Sequence, residues 1–586
     1  MKPFNINKTE FLEKIYGELP LEILLSKDKA NALDIGEFEI NMEEIKSIIL
    51  ENDEAFDYLV EVYNQDFYTR LKRMHDFKFS MSSEIQRQFR NSFDTKRKKL
   101  KPVLKIAEKR LEYFSAIPNE DEKSPTLSTH ESELRLHKAQ FLSQLDHEQT
   151  FFFEKSFKAL FPYYNLCRHT YCIGASGSGK SELLKIMTYH FSQNKAGCLV
   201  LDPHGDLVKD CSFFKHKDEK IIYLSPEFGK FNYYFRYNPF FHEYFDKPER
   251  EKQAFISVKA SELLNAFAVI FHTEFSENMR RIIYNCLLVL LNTKGSNLRD
   301  FMQFLRPATS ELYEQLAAQH YNENVRLFFA HDFNQKRLEI TKASVLTRFE
   351  NSLSNYYLAE IFDCKEPSFN LKKSLNDGYT ILVNASQGLL GESGCKILGS
   401  FLISELTTQA LQRANIPEQF RKPWFVVVDE LQNFLSDRFD KILSEARKYS
   451  LHLVLANQFL QQIENTRLRN SILANTNIKC CGFTSAKDFE VMSKEMGFRG
   501  KNVPILGKGK FIIRIGSFKP ILIQSYSFLL GHTGSNYLYK EQHRKRLNQT
   551  LKTYYTKTES KKQKTASTQP NIPKPIVPLP KPEKLL

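Results

Sequence analysis

Residues 174–181 read GASGSGKS, a G-x-x-x-x-G-K-S sequence that follows the apolar segment HTYCI (169–173) and leads into SELLKIMTYHF (181–191). This order of strand, glycine-rich loop and helix predicts an α/β fold with a phosphate site. Backbone N–H groups of the loop and the positive helix N-terminus can surround an anion. In this pattern Lys180 reaches the β- and γ-phosphates of ATP, and Ser181 ligates Mg²⁺. The predicted nucleotide-binding residues are consecutive: Gly174, Ala175, Ser176, Gly177, Ser178, Gly179, Lys180, Ser181 and Glu182.

An acidic pair ends a second apolar segment, WFVVVDE (424–430). We expect Asp429 to hold Mg²⁺ through its water shell and Glu430 to orient and polarise the attacking water, which predicts ATP hydrolysis. The alternative is two exposed acids at a strand end. The apolar run before them and the phosphate-loop motif upstream both weaken that alternative.

A polar amide follows a third apolar segment, LHLVLANQ (451–458). Gln458 is the candidate for sensing the γ-phosphate and passing its loss to substrate-binding loops. A glutamine after a strand is also ordinary loop chemistry, so this assignment rests on its position alone.

Short apolar segments alternate with helical ones from Leu166 onward. The predicted strands are LCRHTYCI (166–173), GCLVLD (197–202), IIYLS (221–225), YTILVNA (379–385), WFVVVD (424–429), LHLVLAN (451–457) and IKCCGF (478–483). This alternation predicts an α/β fold whose mostly parallel sheet is covered by helices on both faces. Residues 151–247 and 375–530 then form the two parts of one core, and 248–374 form an inserted helical subdomain.

The two ends of the chain differ from this core. Residues 1–150 carry dense charge at helical spacing, which predicts an all-helical region. Within it the basic stretch 85–114 is either a DNA- or partner-binding helix or a solvated helix face. Residues 531–586 are predicted to be a polar linker followed by a disordered tail rich in Lys and Pro. That tail suits docking, polyproline recognition or solubility equally well.

The composition limits the class of protein. At 586 residues the chain is too long for one hydrophobic core, so two or three domains are expected. A net charge of +14 favours a polyanionic partner, although a lysine-rich soluble surface explains it nearly as well. The nine cysteines have no spacing that suits zinc, and no segment has the 18 apolar residues of a membrane span. We therefore expect a cytoplasmic protein without a direct membrane span.

Several separated motifs resemble the FtsK/HerA-like motor ATPases, and within them the soluble motor of type IV secretion and conjugation coupling proteins. The resemblance runs from about residue 168 to about 523 and depends on the order and spacing of its motifs. The similar segments are LVLDPHGDLV (199–208), SENMRRIIYNCLLVLL (276–291), ILVNASQGLLGESGCKILGSFL (381–402) and VVVDELQNFLSDRFDKILSEARKYSLHLVLANQFLQQI (426–463).

The resemblance implies a RecA-like core in a ring, a homo-hexamer, with ATP at subunit interfaces and DNA in the central pore. It also implies an arginine for the γ-phosphate. Arg447 matches best, and Arg280 or Arg281 from a neighbouring subunit is a second possibility, with a surface salt bridge as the alternative for these two. Asp202 and His204 of DPHGD either support the metal or shape a turn.

We expect the amino terminus to depart from both groups, because its sequence has a charged helical pattern instead of the membrane helices of coupling proteins and no run of short strands to match the β-barrel of HerA-like repair motors. The leading hypothesis is an ATP-driven DNA translocase in conjugative transfer, recruited to the inner membrane face by a relaxase and secretion-channel partners. The alternatives are a HerA-like repair or packaging motor, a protein-translocating secretion ATPase that does not bind DNA, and a nucleotide-gated scaffold.

Overall fold

The computed structural model describes residues 33–39, 156–161, 166–194, 196–216, 218–271, 275–435, 439–498, 506–517, 520–525 and 536–558. Within these ranges lies a sheet of eleven strands in the order β2-β1-β12-β11-β10-β3-β9-β8-β4-β7-β5. Its strands are β1 (Leu33–Glu39), β2 (Ser156–Phe161), β3 (Thr170–Ile173), β4 (Gly197–Asp202), β5 (Ile221–Leu224), β7 (Thr380–Asn384), β8 (Trp424–Val428), β9 (Leu451–Asn457), β10 (Ile478–Cys481), β11 (Lys510–Ile515) and β12 (Ile521–Ser525). A separate two-stranded sheet pairs β6 (Tyr233–Tyr234) with β13 (Thr556–Lys557).

The seven strands from β10 to β5 are parallel, as the alternating pattern predicts. Every residue of β3, β4, β5, β7, β8 and β9 is buried, because helices cover both faces of a parallel sheet. The predicted α/β class with a mostly parallel sheet is therefore confirmed.

The helices connect and cover these strands. They are α1 (Lys180–Gln193), α2 (Asp206–Cys211), α3 (Glu249–Phe271), α4 (Glu277–Asn292), α5 (Leu298–Leu305), α6 (Ser310–Ala318), α7 (Glu323–Leu327), α8 (Lys336–Ser352), α9 (Tyr356–Phe362), α10 (Leu371–Asn376), α11 (Gln387–Gln412), α12 (Phe439–Glu445), α13 (Thr466–Asn475), α14 (Ala486–Met496) and α15 (Lys540–Tyr554). Short 3-10 helices span Pro226–Phe231, Arg413–Asn415, Glu418–Phe420, Leu431–Asn433, Ala446–Tyr449 and Leu460–Gln462, and a π-helix spans Phe328–Asp332.

A cluster of phenylalanines joins the run of helices between β6 and β7 to the core. Phe267 on α3 lies 5.1 Å from Phe301 and 4.8 Å from Phe349, measured between ring centroids. It also lies 5.6 Å from Phe401 on α11, the helix that follows β7. Aromatic pairs of this kind add about 0.5–1.5 kcal/mol each beyond area burial. The helical run is therefore packed firmly against the sheet's own helix layer.

Four strands of the eleven-stranded sheet were not predicted, and all of them lie on one side of it. β11, β12, β1 and β2 extend it with antiparallel pairs beyond β10. β1 lies inside the region predicted to be all-helical, so that prediction is wrong for Leu33–Glu39; the rest of residues 1–150 lies outside the described ranges. The segment LDIGEFE is short and acidic, and its strand form depends on pairing with β12, nearly 500 residues later in the chain.

The segment predicted to be a polar linker contains α15, which packs beside β5 at one end of the sheet, and β13, which pairs with β6. Arg546 donates from Nη1 to the carbonyls of Ser212 (3.1 Å) and Phe214 (2.6 Å). The Tyr555 hydroxyl accepts from the Ser225 N–H at 2.7 Å and donates to the Tyr223 carbonyl at 3.0 Å. Because these contacts are polar, the sequence of α15 has no apolar repeat at helical spacing, and the helix was not predicted. The predicted disordered tail beyond residue 558 lies outside the described residues.

The nine cysteines are free thiols and seven of them are buried. Among the residues that the structure describes, no cluster of three or more His, Cys, Asp and Glu side chains could hold a metal ion. Over the same ranges, none of the helices combines the length and apolar character that crossing a membrane requires.

Candidate functional site

The glycine-rich loop lies at the carboxyl end of β3 and leads into α1. Gly177 (φ 82°) and Gly179 (φ 97°) have left-handed backbone conformations that favour glycine. A Cβ on Gly174 would lie 2.5 Å from the Ser178 hydroxyl oxygen, so this position also needs the smallest residue. The glycine spacing of the motif is thus required by the loop's own geometry.

Three backbone hydrogen bonds hold the loop from neighbouring elements. The Gly174 N–H donates to the carbonyl of Asn457 at 3.3 Å, and the Ala175 N–H donates to that of Phe483 at 2.7 Å. On the other side, the Gly509 N–H donates to the carbonyl of Ser178 at 2.7 Å. Sequence reasoning missed Phe483 and Gly509, and the only local signal was the pair of glycines in LGKGK (506–510).

The loop and the first turn of α1 form a cradle whose N–H and hydroxyl groups can donate hydrogen bonds to a ligand. The first N–H groups of a helix have no intrahelical acceptor, and no side chain caps α1 at Gly179. The Ser178 hydroxyl is buried with no hydrogen-bond partner among the described residues. Glu182 contributes its N–H to the same turn, while its carboxylate accepts from Lys185 at 2.6 Å. The cradle therefore suits an anion such as phosphate.

A buried ion cluster joins the loop to the end of β8. The Lys180 ammonium lies 2.8 Å from Glu430 Oε1 and 3.2 Å from Asp429 Oδ1. Glu430 Oε1 also accepts from Gln458 Nε2 at 3.0 Å, and its Oε2 accepts from Gln432 Nε2 at 2.8 Å. The structure thus brings together Lys180, Asp429, Glu430 and Gln458, four residues singled out in sequence, and adds Gln432.

The pKa values in this cluster follow from burial and from the shared lysine. Burial alone would lower the pKa of Lys180, but Asp429 and Glu430 outweigh it and raise that pKa. Burial raises the pKa of Asp429 although Lys180 opposes it. Burial also acts to raise the pKa of Glu430, but Lys180 and the two glutamines together lower it. Glu430 is therefore the carboxylate whose charge the surroundings stabilise more.

Glu430 also has an unusual backbone. Its φ of 48° lies in the left-handed region, which costs a non-glycine residue about 1–3 kcal/mol. Its N–H donates to Asp429 Oδ1 at 3.0 Å, and its carbonyl accepts from Asn433 Nδ2 at 3.0 Å. These bonds hold the strained residue so that its carboxylate faces Lys180 rather than solvent.

Gln458 is supported by the fully buried residue before it. Asn457 accepts from the Tyr171 hydroxyl at 2.6 Å and donates from Nδ2 to the carbonyl of Phe459 at 2.6 Å. Tyr171 lies on β3, so the strand that carries the phosphate loop also positions the turn that carries Gln458.

The other candidates lie outside this cluster. Asp202 accepts backbone N–H groups from His204 (2.8 Å) and Val208 (3.2 Å), which shapes the turn before α2, while His204 itself is exposed. Arg280 lies 3.5 Å from Glu277, and Arg281 pairs with Asp332. For these residues the structure has turn-forming and salt-bridge contacts, the alternatives left open by the sequence.

Arg447 is exposed in the 3-10 helix Ala446–Tyr449, immediately before β9. The phosphate loop follows the carboxyl end of β3, which runs parallel to β9. The seven residues of β9 span about 20 Å at roughly 3.3 Å per residue. Arg447 therefore lies at the amino ends of the parallel strands, whereas Lys180 of the same chain lies at their carboxyl ends.

The oxygen ligands in the cluster fit Mg²⁺. Ser181, with its hydroxyl, is the second residue of α1, and Asp429, with its carboxylate, follows β8. Lys180, the neighbour of Ser181, contacts Asp429. Protein sites for Mg²⁺ commonly supply one or two such oxygens and leave the remaining positions to phosphates and water. Ser181 and Asp429 are therefore the residues that would hold the ion.

A family model for conjugative DNA transfer by the type IV secretory system matches residues 128–500, more than half of the chain. Curated protein sequences give no match. Among solved structures, the plasmid coupling protein TrwB with a non-hydrolysable ATP analogue has a TM-score of 0.46 and 14% identity, over 65% of this chain and 91% of that one. TrwB with ADP and Mg²⁺ has a TM-score of 0.44 and 16% identity, over 65% and 90%. VirB4 of Thermoanaerobacter pseudethanolicus has a TM-score of 0.41 and 13% identity, over 63% and 94%.

We expect Gly509→Ala to weaken ATP binding, because Gly509 has a φ of 79° and its N–H supports the phosphate loop at Ser178. A left-handed conformation costs an alanine about 1–2 kcal/mol, and relief of that strain would shift the supporting hydrogen bond. The measurements are urea unfolding and equilibrium binding of a fluorescent ATP analogue. Gly507→Ala is the matched control, since a Cβ there meets open space. Equal ATP affinity in the two variants would contradict a supporting role for Gly509.

Proposed function

The chain belongs to the type IV secretory system conjugative DNA transfer family, and from that premise we propose that it is an ATP-driven DNA translocase. In this proposal it delivers DNA during conjugative transfer through a type IV secretion-type system. It works in the cytoplasm as a homo-hexameric ring, with a relaxase and membrane-channel proteins as partners.

The observation that carries the ATPase part is the ion cluster beside the phosphate loop. Hydrolysis of ATP to ADP and phosphate needs donors for the phosphate oxygens and a group that orients the attacking water. Lys180 and the first-turn N–H groups of α1 supply the donors. Glu430 supplies the second group, because its carboxylate is held by two glutamine amides and has a lowered pKa.

Lys180 has to serve both the carboxylates and the phosphates. Its ammonium has three N–H donors and now contacts Glu430 and Asp429. A triphosphate in the cradle would compete for this cation. Glu430 would then keep Gln432 and Gln458 as partners while losing the charge that lowers its pKa most. The two glutamines would therefore be the groups that keep the Glu430 carboxylate in place when ATP is bound.

Mg²⁺ held by Ser181 and Asp429 would neutralise phosphate charge as hydrolysis proceeds. The protein's own part is to fix both oxygens on buried elements, one at the start of α1 and the other at the end of β8.

Two substitutions separate nucleotide binding from hydrolysis. We expect Lys180→Ala to lose ATP binding, and Glu430→Gln to bind ATP while hydrolysing it at least about 100-fold more slowly. ATP affinity and single-turnover hydrolysis measure the two steps. Lys494→Ala and Glu490→Gln, which change an exposed helical pair, are the controls. Wild-type turnover in Glu430→Gln would overturn the role given to Glu430.

We infer that Arg447 acts on the ATP of a neighbouring subunit. It lies one strand length from its own phosphate loop, beyond the reach of an arginine side chain. In a ring this edge of the sheet can face the next subunit's site, and an arginine there would stabilise transition-state charge. A finger of this kind adds about 10³ to 10⁵ in rate.

Mixed rings test this arrangement. Arg447→Ala subunits retain Lys180, and Lys180→Ala subunits retain Arg447, so each preparation alone should be nearly inactive. Mixing them should restore ATPase activity at interfaces that combine one intact Lys180 with one intact Arg447. Mixtures no more active than the two separate preparations, with ring assembly verified by sedimentation, would contradict action between subunits.

DNA as the moved substrate is supported by the family and by the net charge of +14. We expect single- or double-stranded DNA to stimulate hydrolysis, and we expect the stimulation to fall steeply as salt rises, because contacts to phosphates release counterions. Steady-state ATPase rates over a salt series, with Lys180→Ala as the blank, measure this. Hydrolysis indifferent to both forms of DNA at low salt would refute translocation of DNA and favour a protein-translocating secretion ATPase.

A further inference from the structure

Phe483 is a large apolar side chain that the fold leaves exposed. It follows β10 and is 52% exposed, whereas Ile478 and Cys481, the first and last residues of that strand, are fully buried. It makes no ring contact with another aromatic side chain in the described part of the chain. Exposure of one phenylalanine is unremarkable in itself. This phenylalanine, however, lies next to the phosphate loop, where a ligand could contact it.

The backbone of Phe483 is bonded directly to that loop. Its carbonyl accepts the N–H of Ala175, the second residue of the motif, at 2.7 Å. The residue before it, Gly482, donates its N–H to the carbonyl of Ile173 at 2.8 Å. A Cβ on Gly482 would lie only 2.8 Å from the ring of Phe511, so the backbone here is tightly packed. Phe483 is therefore held at the entrance of the loop by rigid neighbours.

The sheet order places Phe483 on the side of the loop away from the ion cluster. β3 lies between β10, which leads to Phe483, and β9, and β8 with Glu430 lies beyond β9. A nucleotide whose terminal phosphate lies near Lys180 and Glu430 must extend its other end out of the cradle. A base that leaves the cradle on the β10 side would meet the exposed side chain of Phe483.

We propose that Phe483 is the platform on which the base of the bound nucleotide stacks. This inference rests on the proposed nucleotide site and assigns the recognition of the base, which the phosphate loop does not provide. Every nucleobase has a π-face, so stacking on a phenylalanine binds bases with little selectivity among them. The site should therefore accept ATP and GTP with similar affinity.

The test compares ATP with inorganic tripolyphosphate, which has the phosphates and no base. We expect Phe483→Ala to weaken ATP binding about tenfold, the scale of one stacked base, and to leave tripolyphosphate binding unchanged. The rate at saturating ATP should also stay near wild type, because the stacking is the same in the ground and transition states. Phe483→Trp should retain affinity, and Phe483→Leu, which keeps apolar volume, should behave like the alanine variant. Phe420→Ala is the control, since Phe420 is 70% exposed just before the amino end of β8, at the other edge of the sheet.

The outcomes separate this inference from the proposed function. If the wild type binds neither ATP nor tripolyphosphate, the nucleotide site itself fails. If the wild type binds ATP and Phe483→Ala and Phe483→Leu bind it equally well, the platform is refuted while the site stands. Equal losses for ATP and tripolyphosphate would also refute it, because they would mean that the side chain only maintains the shape of the loop.

Discussion

One buried ammonium group between two carboxylates determines how this site must be built. Lys180 lies within 3.2 Å of both Asp429 and Glu430, and all three side chains are almost completely buried. A buried charge without a partner is strongly destabilising, so the lysine and the acids depend on one another. They come from strands that are not neighbours, because β9 separates β3 from β8. Only a parallel register that aligns the carboxyl ends of all three strands can bring them together.

The buried charge of Lys180 can be neutralised in two ways, by the two carboxylates or by a bound anion. Without a competing anion, the two carboxylates neutralise Lys180, and two glutamines complete the hydrogen bonding of Glu430. A polyphosphate would compete with the carboxylates for Lys180, and the bond from Gln458 to Glu430 does not involve Lys180 and could therefore persist. We infer that arrival and loss of the terminal phosphate are reported through this amide, since Gln458 is the group that touches Glu430 and also begins the next loop. Asn457 and Tyr171 keep that loop in register with the phosphate loop.

The sequence was sufficient to predict the parts of the site that are formed by consecutive residues. The glycines of 174–179 are required by positive φ angles and close contacts inside the loop, and Asp429 and Glu430 directly end a buried strand, so local patterns located both. It was insufficient where a contact joins distant segments. Gly509 and Phe483 support the loop from more than 300 residues away, and the glycines around Gly509 indicate a turn but not its partner. The helix α15 was missed for a related reason. Its buried residues are His543, Arg546 and Thr550, which form no apolar stripe, and His543 and Arg546 bond to polar groups around Ser212 and Phe214.

The antiparallel strands beyond β10 connect the site to the amino-terminal part of the chain. The Gly509 N–H is bonded to the phosphate loop, and its carbonyl accepts the N–H of Ser525 on β12 at 2.7 Å. Ser525 in turn lies opposite Gly36 of β1 in the antiparallel pair. A displacement of the phosphate loop must therefore either break the bond to Gly509 or move the segment that leads into β11. Because β12 lies between β11 and β1 in the sheet, a movement of this segment would pass through β12 to β1, the amino-terminal strand of the described residues. The strand β1, which was not predicted from sequence, is therefore joined to the nucleotide site through β12 by a short path of backbone hydrogen bonds.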